Sequence, residues 1–378
     1  MAIHACRVCG RGFFKKPLLR YEKMPKAAQH FPGADSLKHE TGVDLTVCQC
    51  SGCGLVQLNN EPVPYYREVI RAAAVSEVIK DFKTKQFADF LQKYSLRGKK
   101  IIEIGCGRGE FLSLLQPFDV KAYGLEYSKS AVEQCVKSGL NVSRGYFDSS
   151  SKILANGPFN AFFLLMFLEH MPEPNSALKG IHDNLTEDAV GLVEVPNFNM
   201  ILQNKLFSEF IGDHLLYFTR ETLRTTMQLN GFDVIECSEL RDDYVISAIV
   251  KKKGRLDITY FYDHQVKIEF EIKEYLKRFK KKRVAIWGAS HQALAIIALT
   301  KIADKIRYVI DSAPFKQGKY TPATHLPIFA PDILHSDPVD AVIVMSASYS
   351  DEVAGIIRQR FDRNIAVAIL RDFGLEMV

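Results

Sequence analysis

The stretch Gly98-Lys-Lys-Ile-Ile-Glu-Ile-Gly-Cys-Gly-Arg-Gly109 reads as a turn, a short buried strand and a glycine loop. Residues Glu110–Leu115 then read as the opening of a helix. The pattern is Glu103-x-Gly105-x-Gly107-x-Gly109, with glycine at alternate positions. Without side chains the backbone passes close to a ligand, and N–H groups at a helix start are free to face it. A glycine loop alone is weak evidence; its place between strand and helix strengthens it.

Working outward, a second strand over Val120–Leu125 ends in Glu126, whose carboxylate can accept both hydrogen bonds of a ribose diol. A helix over Ser130–Ser138, a third strand over Asn141–Gly145 and then Asp148 follow. The apolar strand Phe159–Met166 leads into Glu169-His170-Met171-Pro172-Glu173-Pro174 and a helix to Leu185. Strand Gly191–Val195 ends the parallel run. After helix Glu221–Leu229 and the turn Asn230-Gly231, strands Asp233–Glu239 and Tyr244–Lys251 form a hairpin-like pair. Alternating strands and helices predict a doubly wound α/β sheet with its ligand at the carboxyl ends of the strands.

Upstream, the pattern is helical from about Tyr65 to Gly98. Downstream, Leu256–Lys282 reads as a charged linker helix. Arg283-Val-Ala-Ile-Trp-Gly-Ala-Ser-His then begins a second strand–turn–helix unit, with buried strands at Ile306–Asp311 and Ala341–Met345 and a helix at Glu352–Phe361. The loop after Trp287-Gly288 lacks GxGxxG, so it is not read as a dinucleotide site.

A chain of 378 residues has room for two or three domains, and 47% hydrophobic with 25% charged residues is ordinary for a globular protein. The net charge of +5 is scattered, dense only at Lys251–Lys253 and Lys277–Arg283, which argues against a nucleic-acid partner. No apolar run reaches the roughly 18 residues of a membrane span, and the N-terminal residues do not read as a signal peptide. A cytoplasmic setting is expected, in which cysteines stay reduced.

Five of the eight cysteines fall in the first 53 residues. Cys6-Arg-Val-Cys9-Gly10 and Cys50-Ser-Gly-Cys53-Gly54 are paired CxxC-Gly elements. That spacing turns two thiolates onto one tetrahedral ion, and four thiolates close its shell into a structural zinc site. Cys48 could displace Cys50, but Cys50–Cys53 keeps the spacing and leaves Cys48 as a spectator.

The glycine loop, Glu126, Asp148 and Leu168-Glu169-His170-Met171-Pro172 resemble the class I S-adenosylmethionine methyltransferases. The resemblance implies a Rossmann-like domain in which Glu103, Gly105, Gly107, Gly109 and Met166 lie around the cofactor. Gly105 and Gly107 would approach its methionine part, Glu126 would bind the ribose, and Asp148 would stand near the adenine amine.

Across the whole chain, the paired CxxC-Gly elements, Asp213-His214-Leu-Leu-Tyr-Phe-Thr and Lys316-Gln-Gly-Lys-Tyr…Thr324-His325-Leu-Pro resemble the nucleotide-sugar C-methyltransferases. This implies a zinc-binding module over 1–60, a methyltransferase domain over 61–253, a linker helix over 254–282 and a smaller Rossmann-like α/β domain over 283–378. In that family the substrate, a keto-deoxysugar on a nucleoside diphosphate, lies between the central and C-terminal domains. Such chemistry needs a base beside the carbon and donors at the enolate oxygen. His214 matches the family base. Asp213 stands in place of the usual glutamate and is expected to fix the imidazole tautomer and favour its protonated form. Tyr65 or Tyr66 matches a substrate-facing tyrosine, His170 is expected above the cofactor, and Ile211 replaces a frequent tyrosine. The rival readings are a sugar O-methyltransferase and a zinc-ribbon protein that modifies nucleic acid.

Overall fold

The computed structural model describes residues 3–29, 31–69, 75–148, 153–280 and 283–378. The chain divides into two compact units, Met1–Gly254 and Arg255–Val378. Part of the helical stretch expected from Tyr65, residues 70–74, and the last two residues of the expected linker, Lys281 and Lys282, lie outside the described residues. Among the described residues no helix is long and apolar enough to cross a membrane.

The first unit runs through β1 (Leu19–Met24), β2 (Val43–Gln49), β3 (Val56–Leu58), α1 (Glu77–Lys93), β4 (Lys100–Ile104), β5 (Lys121–Glu126), α2 (Lys129–Lys137) and β6 (Val142–Arg144). It continues with β7 (Phe159–Leu165), α3 (Pro174–Asp183), β8 (Leu185–Pro196), α4 (Phe198–Gln203), β9 (Leu216–Tyr217), α5 (Arg220–Leu229), β10 (Phe232–Leu240) and β11 (Val245–Lys252). The large sheet has the order β10-β11-β8-β7-β4-β5-β6. Its β4–β8 part is parallel, and β11 joins β8 antiparallel. The central strand β7 is covered on both faces, which is why Phe159-Asn-Ala-Phe-Phe-Leu-Leu165 is nearly all apolar. Chain order reverses between β4 and β7, so a crevice opens at their carboxyl ends.

The glycine loop departs from expectation after Gly109. The stretch read as a helix from Glu110 forms only a 3₁₀ turn over Leu112–Leu115. No helix start faces the loop there, so its shape rests on the glycines.

A smaller sheet, β1-β2-β3-β9, ties the cysteine-rich segment to the region after β8. Val56 pairs with Tyr217 and Gln57 with Leu216. Leu58 N–H donates to Leu215 O at 3.0 Å, and Leu215 N–H donates to Glu169 O at 2.9 Å. The segment carrying Asp213 and His214 is thereby clamped between the N-terminal sheet and the loop after β7.

The second unit contains α6 (Thr259–Leu276), β12 (Val284–Trp287), α7 (His291–Leu299), β13 (Ile306–Ile310), β14 (Ile328–Phe329), α8 (Ile333–Ser336), β15 (Ala341–Val344), α9 (Ser350–Arg360), β16 (Ala366–Arg371) and β17 (Gly374–Met377). Its sheet, β14-β13-β12-β15-β16-β17, is parallel up to the antiparallel β17. The helix expected as a linker belongs to this unit: Ile268, Ile272, Tyr275 and Leu276 are buried in its core.

Candidate active site

At the end of β4 the backbone turns through Gly105, Gly107 and Gly109 with φ of +67°, +56° and +83°. A Cβ on Gly105 would stand 2.5 Å from the Phe167 ring, and one on Gly109 would stand 2.4 Å from Leu140 Cδ1. Both positions therefore exclude a side chain on two counts. Gly107 N–H donates to Glu126 Oε2 at 3.0 Å, and Ser128 N–H donates to Oε1 at 2.7 Å. Burial pushes the Glu126 carboxyl above the usual range.

A cavity of about 450 Å³ is lined by Glu103, Gly105, Gly107, Met166, His170, Asp213 and His214. Met166 holds a left-handed backbone at φ 54°, a costly conformation for a non-glycine residue that recurs at functional sites. Gly109, Glu126 and Asp148 do not line it. Asp148 pairs with Arg67 at 3.1 Å, and the Arg67 guanidinium lies over the rings of Tyr66, Tyr127 and Tyr146. Tyr65 and Tyr66 line a second, larger cavity of about 1180 Å³ together with Lys23, Lys26 and Phe31.

The Asp213–His214 arrangement differs from expectation. The Asp213 carboxylate accepts from Tyr65 OH at 2.9 Å and from Ala28 N–H at 3.2 Å. Its backbone carbonyl accepts from His170 Nδ1 at 2.7 Å. Among the described residues it forms no hydrogen bond to the His214 ring. The tautomer held in place is therefore that of His170, with a lone pair at Nε2. His214 meets His170 edge-on at 4.7 Å between ring centroids. Burial, with His170 beside it, lowers the His214 pKa to about 3, so its ring is neutral rather than protonated. The Tyr65 hydroxyl, partly buried and bonded to a carboxylate, is raised to about 12 and acts as a donor.

Further up the first unit, Cys6 and Cys53 sulfurs lie 3.7 Å apart and Cys9 and Cys50 sulfurs 3.3 Å apart, and all four fall within 4.8 Å of one another. A tetrahedral ion with bonds of about 2.3 Å places thiolates about 3.8 Å apart, so the set fits zinc. N–H groups of Val8, Gly52 and Cys53 point at these sulfurs, and Gln57 Nε2 donates to Cys6 at 3.2 Å. Cys48 stands outside the group.

Residues 77–237 match the family described as "Methyltransferase domain", and residues 255–367 match "C-methyltransferase C-terminal domain". The C-methyltransferase NovU of Streptomyces niveus is 22% identical over 388 residues, covering 93% of this chain and 91% of that protein. The chain belongs to the S-adenosylmethionine-dependent C-methyltransferase family. A ubiquinone biosynthesis O-methyltransferase of Methylococcus capsulatus is 34% identical over 97 residues, 24% of this chain and 40% of that one. Among solved structures, an S-adenosylmethionine-dependent methyltransferase from Clostridium acetobutylicum is 13% identical with a TM-score of 0.40, covering 50% of this chain and 96% of that chain.

The sequence assigned no role to Lys83, Gln86, Glu194, Glu169 or Arg67, which the fold places in or beside these two cavities. Lys83 of α1 and Glu194 of β8 form a buried ion pair, and Gln86 Nε2 donates to the same carboxylate at 2.7 Å. Lys83 falls in register with the buried Phe87, Phe90 and Leu91 of its helix, a signal that was available. Glu169 is fully buried beside His170, and Arg67 covers Asp148.

Proposed function

We propose that this C-methyltransferase acts on a keto-deoxysugar carried on a nucleoside diphosphate, with His214 as the base that makes the enolate. The observation that carries the reading is a neutral, buried imidazole in the same cavity as the glycine loop. S-adenosylmethionine, when bound, supplies an electrophilic methyl group. His214 would take the proton from the carbon beside the ketone, Tyr65 would present a hydroxyl held by Asp213, and burial would keep water from competing. Gly105, Gly107, Glu126 and Asp148 would hold the cofactor, with Asp148 released from Arg67. Cys6, Cys9, Cys50 and Cys53 would hold a structural zinc ion in a cytoplasmic, reducing setting.

The test is a thermal-shift screen of nucleoside-diphosphate keto-deoxyhexoses with S-adenosylhomocysteine present, followed by product NMR. A new methyl carbon bonded to a sugar ring carbon supports the reading. A methyl on oxygen, or no shift with any sugar nucleotide, overturns it.

The cofactor part has its own test. Glu126→Ala should weaken S-adenosylmethionine binding by about 1.5–3 kcal/mol, the range for hydrogen bonds to a charged group. Unchanged affinity by calorimetry would remove Glu126 from the ribose site.

A further inference from the structure

The cavity around His214 contains an acid that has no part in the chemistry above. Glu169 is 1% exposed, and its Oε2 has no hydrogen-bond partner among the described residues. Its Oε1 lies 3.9 Å from His170 Nε2, the nitrogen left with a lone pair. His214 is the next ring along, and the three side chains bring polar atoms within 4.8 Å of one another. When Glu169 is ionised, its carboxylate faces the lone pair of His170 Nε2 with no donor on Oε2 among the described residues, an arrangement that is unfavourable until it gains a proton.

We propose that Glu169 is the proton store of this site: the proton that His214 removes from the substrate carbon passes through His170 Nε2 to the Glu169 carboxylate. This rests on the reading of His214 as the base. The C–H bond breaks and its electron pair stays on the substrate as the enolate. The proton bonds to the His214 ring nitrogen, moves to His170 Nε2 and ends as the O–H of Glu169. Solvent takes it after product leaves. Glu169 acts through His170 and not on the substrate, so it is a positioning residue.

Burial decides the direction of travel. It lowers the basicity of both imidazoles, so neither keeps a cation, and it raises the Glu169 pKa to about 8, so the neutral acid is the favoured resting place. The other titratable groups lining this cavity are Tyr244 and Arg241, Glu209, Glu110, Glu103, Cys106, Asp213 turned toward Tyr65, and the ion-paired Lys83 and Glu194. The store accepts a proton only when ionised, so exchange should climb as pH rises through about 8.

The experiment uses the full-length protein with S-adenosylhomocysteine and a thymidine-diphosphate keto-deoxyhexose. It measures deuterium wash-in at the substrate carbon from about pH 6 to about pH 9. Wild-type exchange should rise with pH. Glu169→Gln should exchange about 10²-fold more slowly with no pH rise, while S-adenosylhomocysteine affinity is unchanged. Glu169→Asp should recover part of the rate and the rise. Wild-type exchange and pH profile in Glu169→Gln overturns the store while leaving the base intact. Wild-type exchange in His214→Asn removes the base and the store together. A second metal ion per chain that Glu169→Gln loses would make Glu169 a metal ligand and also overturns the proposal.

Discussion

His214→Asn should lower turnover by about 10²–10⁴-fold, the usual share of general-base catalysis, while S-adenosylmethionine stays bound. Asparagine keeps a polar side chain of similar reach, so the cavity keeps its shape and loses the proton acceptor. Solvent-deuterium exchange in the presence of S-adenosylhomocysteine isolates the step: wild type exchanges and the variant does not. Exchange at the wild-type rate would move the base elsewhere, with Tyr65 or His170 next. A second readout is independent of substrate. The His214 pKa falls from an ordinary 6.5 to about 3, so between those values the folded state binds fewer protons than the unfolded chain. Stability is therefore lost as pH falls from about 6.5 toward 3, and His214→Asn should lose less of it. Urea melts at about pH 5 and pH 7 measure this, and identical pH dependence in the two proteins would contradict the buried neutral ring.

The parts of this molecule that could be read from sequence are those whose signal is local. β4, the glycine loop and β5 announce themselves by apolar runs and alternate glycines, and both CxxC-Gly elements carry their geometry in five residues. The helix expected after Gly109 failed because the 3₁₀ turn that forms there, Leu112–Leu115, has the same apolar residues as a first helical turn. β9 is two residues long and pairs with β3 from the far end of the unit, so no periodicity marks it. The Asp213 and His214 pairing failed for a different reason. Neighbours in sequence need not share a face, and Asp213 spends its carboxylate on Tyr65 and its carbonyl on His170. The His214 ring is neutral, against the expectation of a protonated form, because burial, a tertiary property, outweighs a carboxylate adjacent in the chain. Glu169 stood in the quoted Glu-His-x-Pro segment but showed no sign of being enclosed until the fold enclosed it.

Removal of zinc should cost both the fold of the first unit and its activity. The Cys50 N–H donates to Leu55 O at 2.9 Å, β3 follows at once, and β3 holds β9 and the segment ahead of it with His214. From the other element, Arg7 Nη1 donates to Pro172 O at 3.1 Å, and Asn175 Nδ2 donates to Val8 O at 2.7 Å, beside the start of α3. The four thiolates thus brace two sides of the loop that carries His170 and Glu169. Structural zinc contributes about 10–16 kcal/mol in small zinc-binding peptides at neutral pH. A third of that would still be a large part of the 5–15 kcal/mol typical of a whole domain. The expected result is about one zinc per chain in wild type, and in Cys50→Ser a loss of metal, a broad low-temperature melt and no methyl transfer. Cys48→Ser, outside the four-sulfur group, should keep metal, melting temperature and activity. If Cys50→Ser kept one zinc and the wild-type melt, or if Cys48→Ser lost the metal, the ligand set would be wrong.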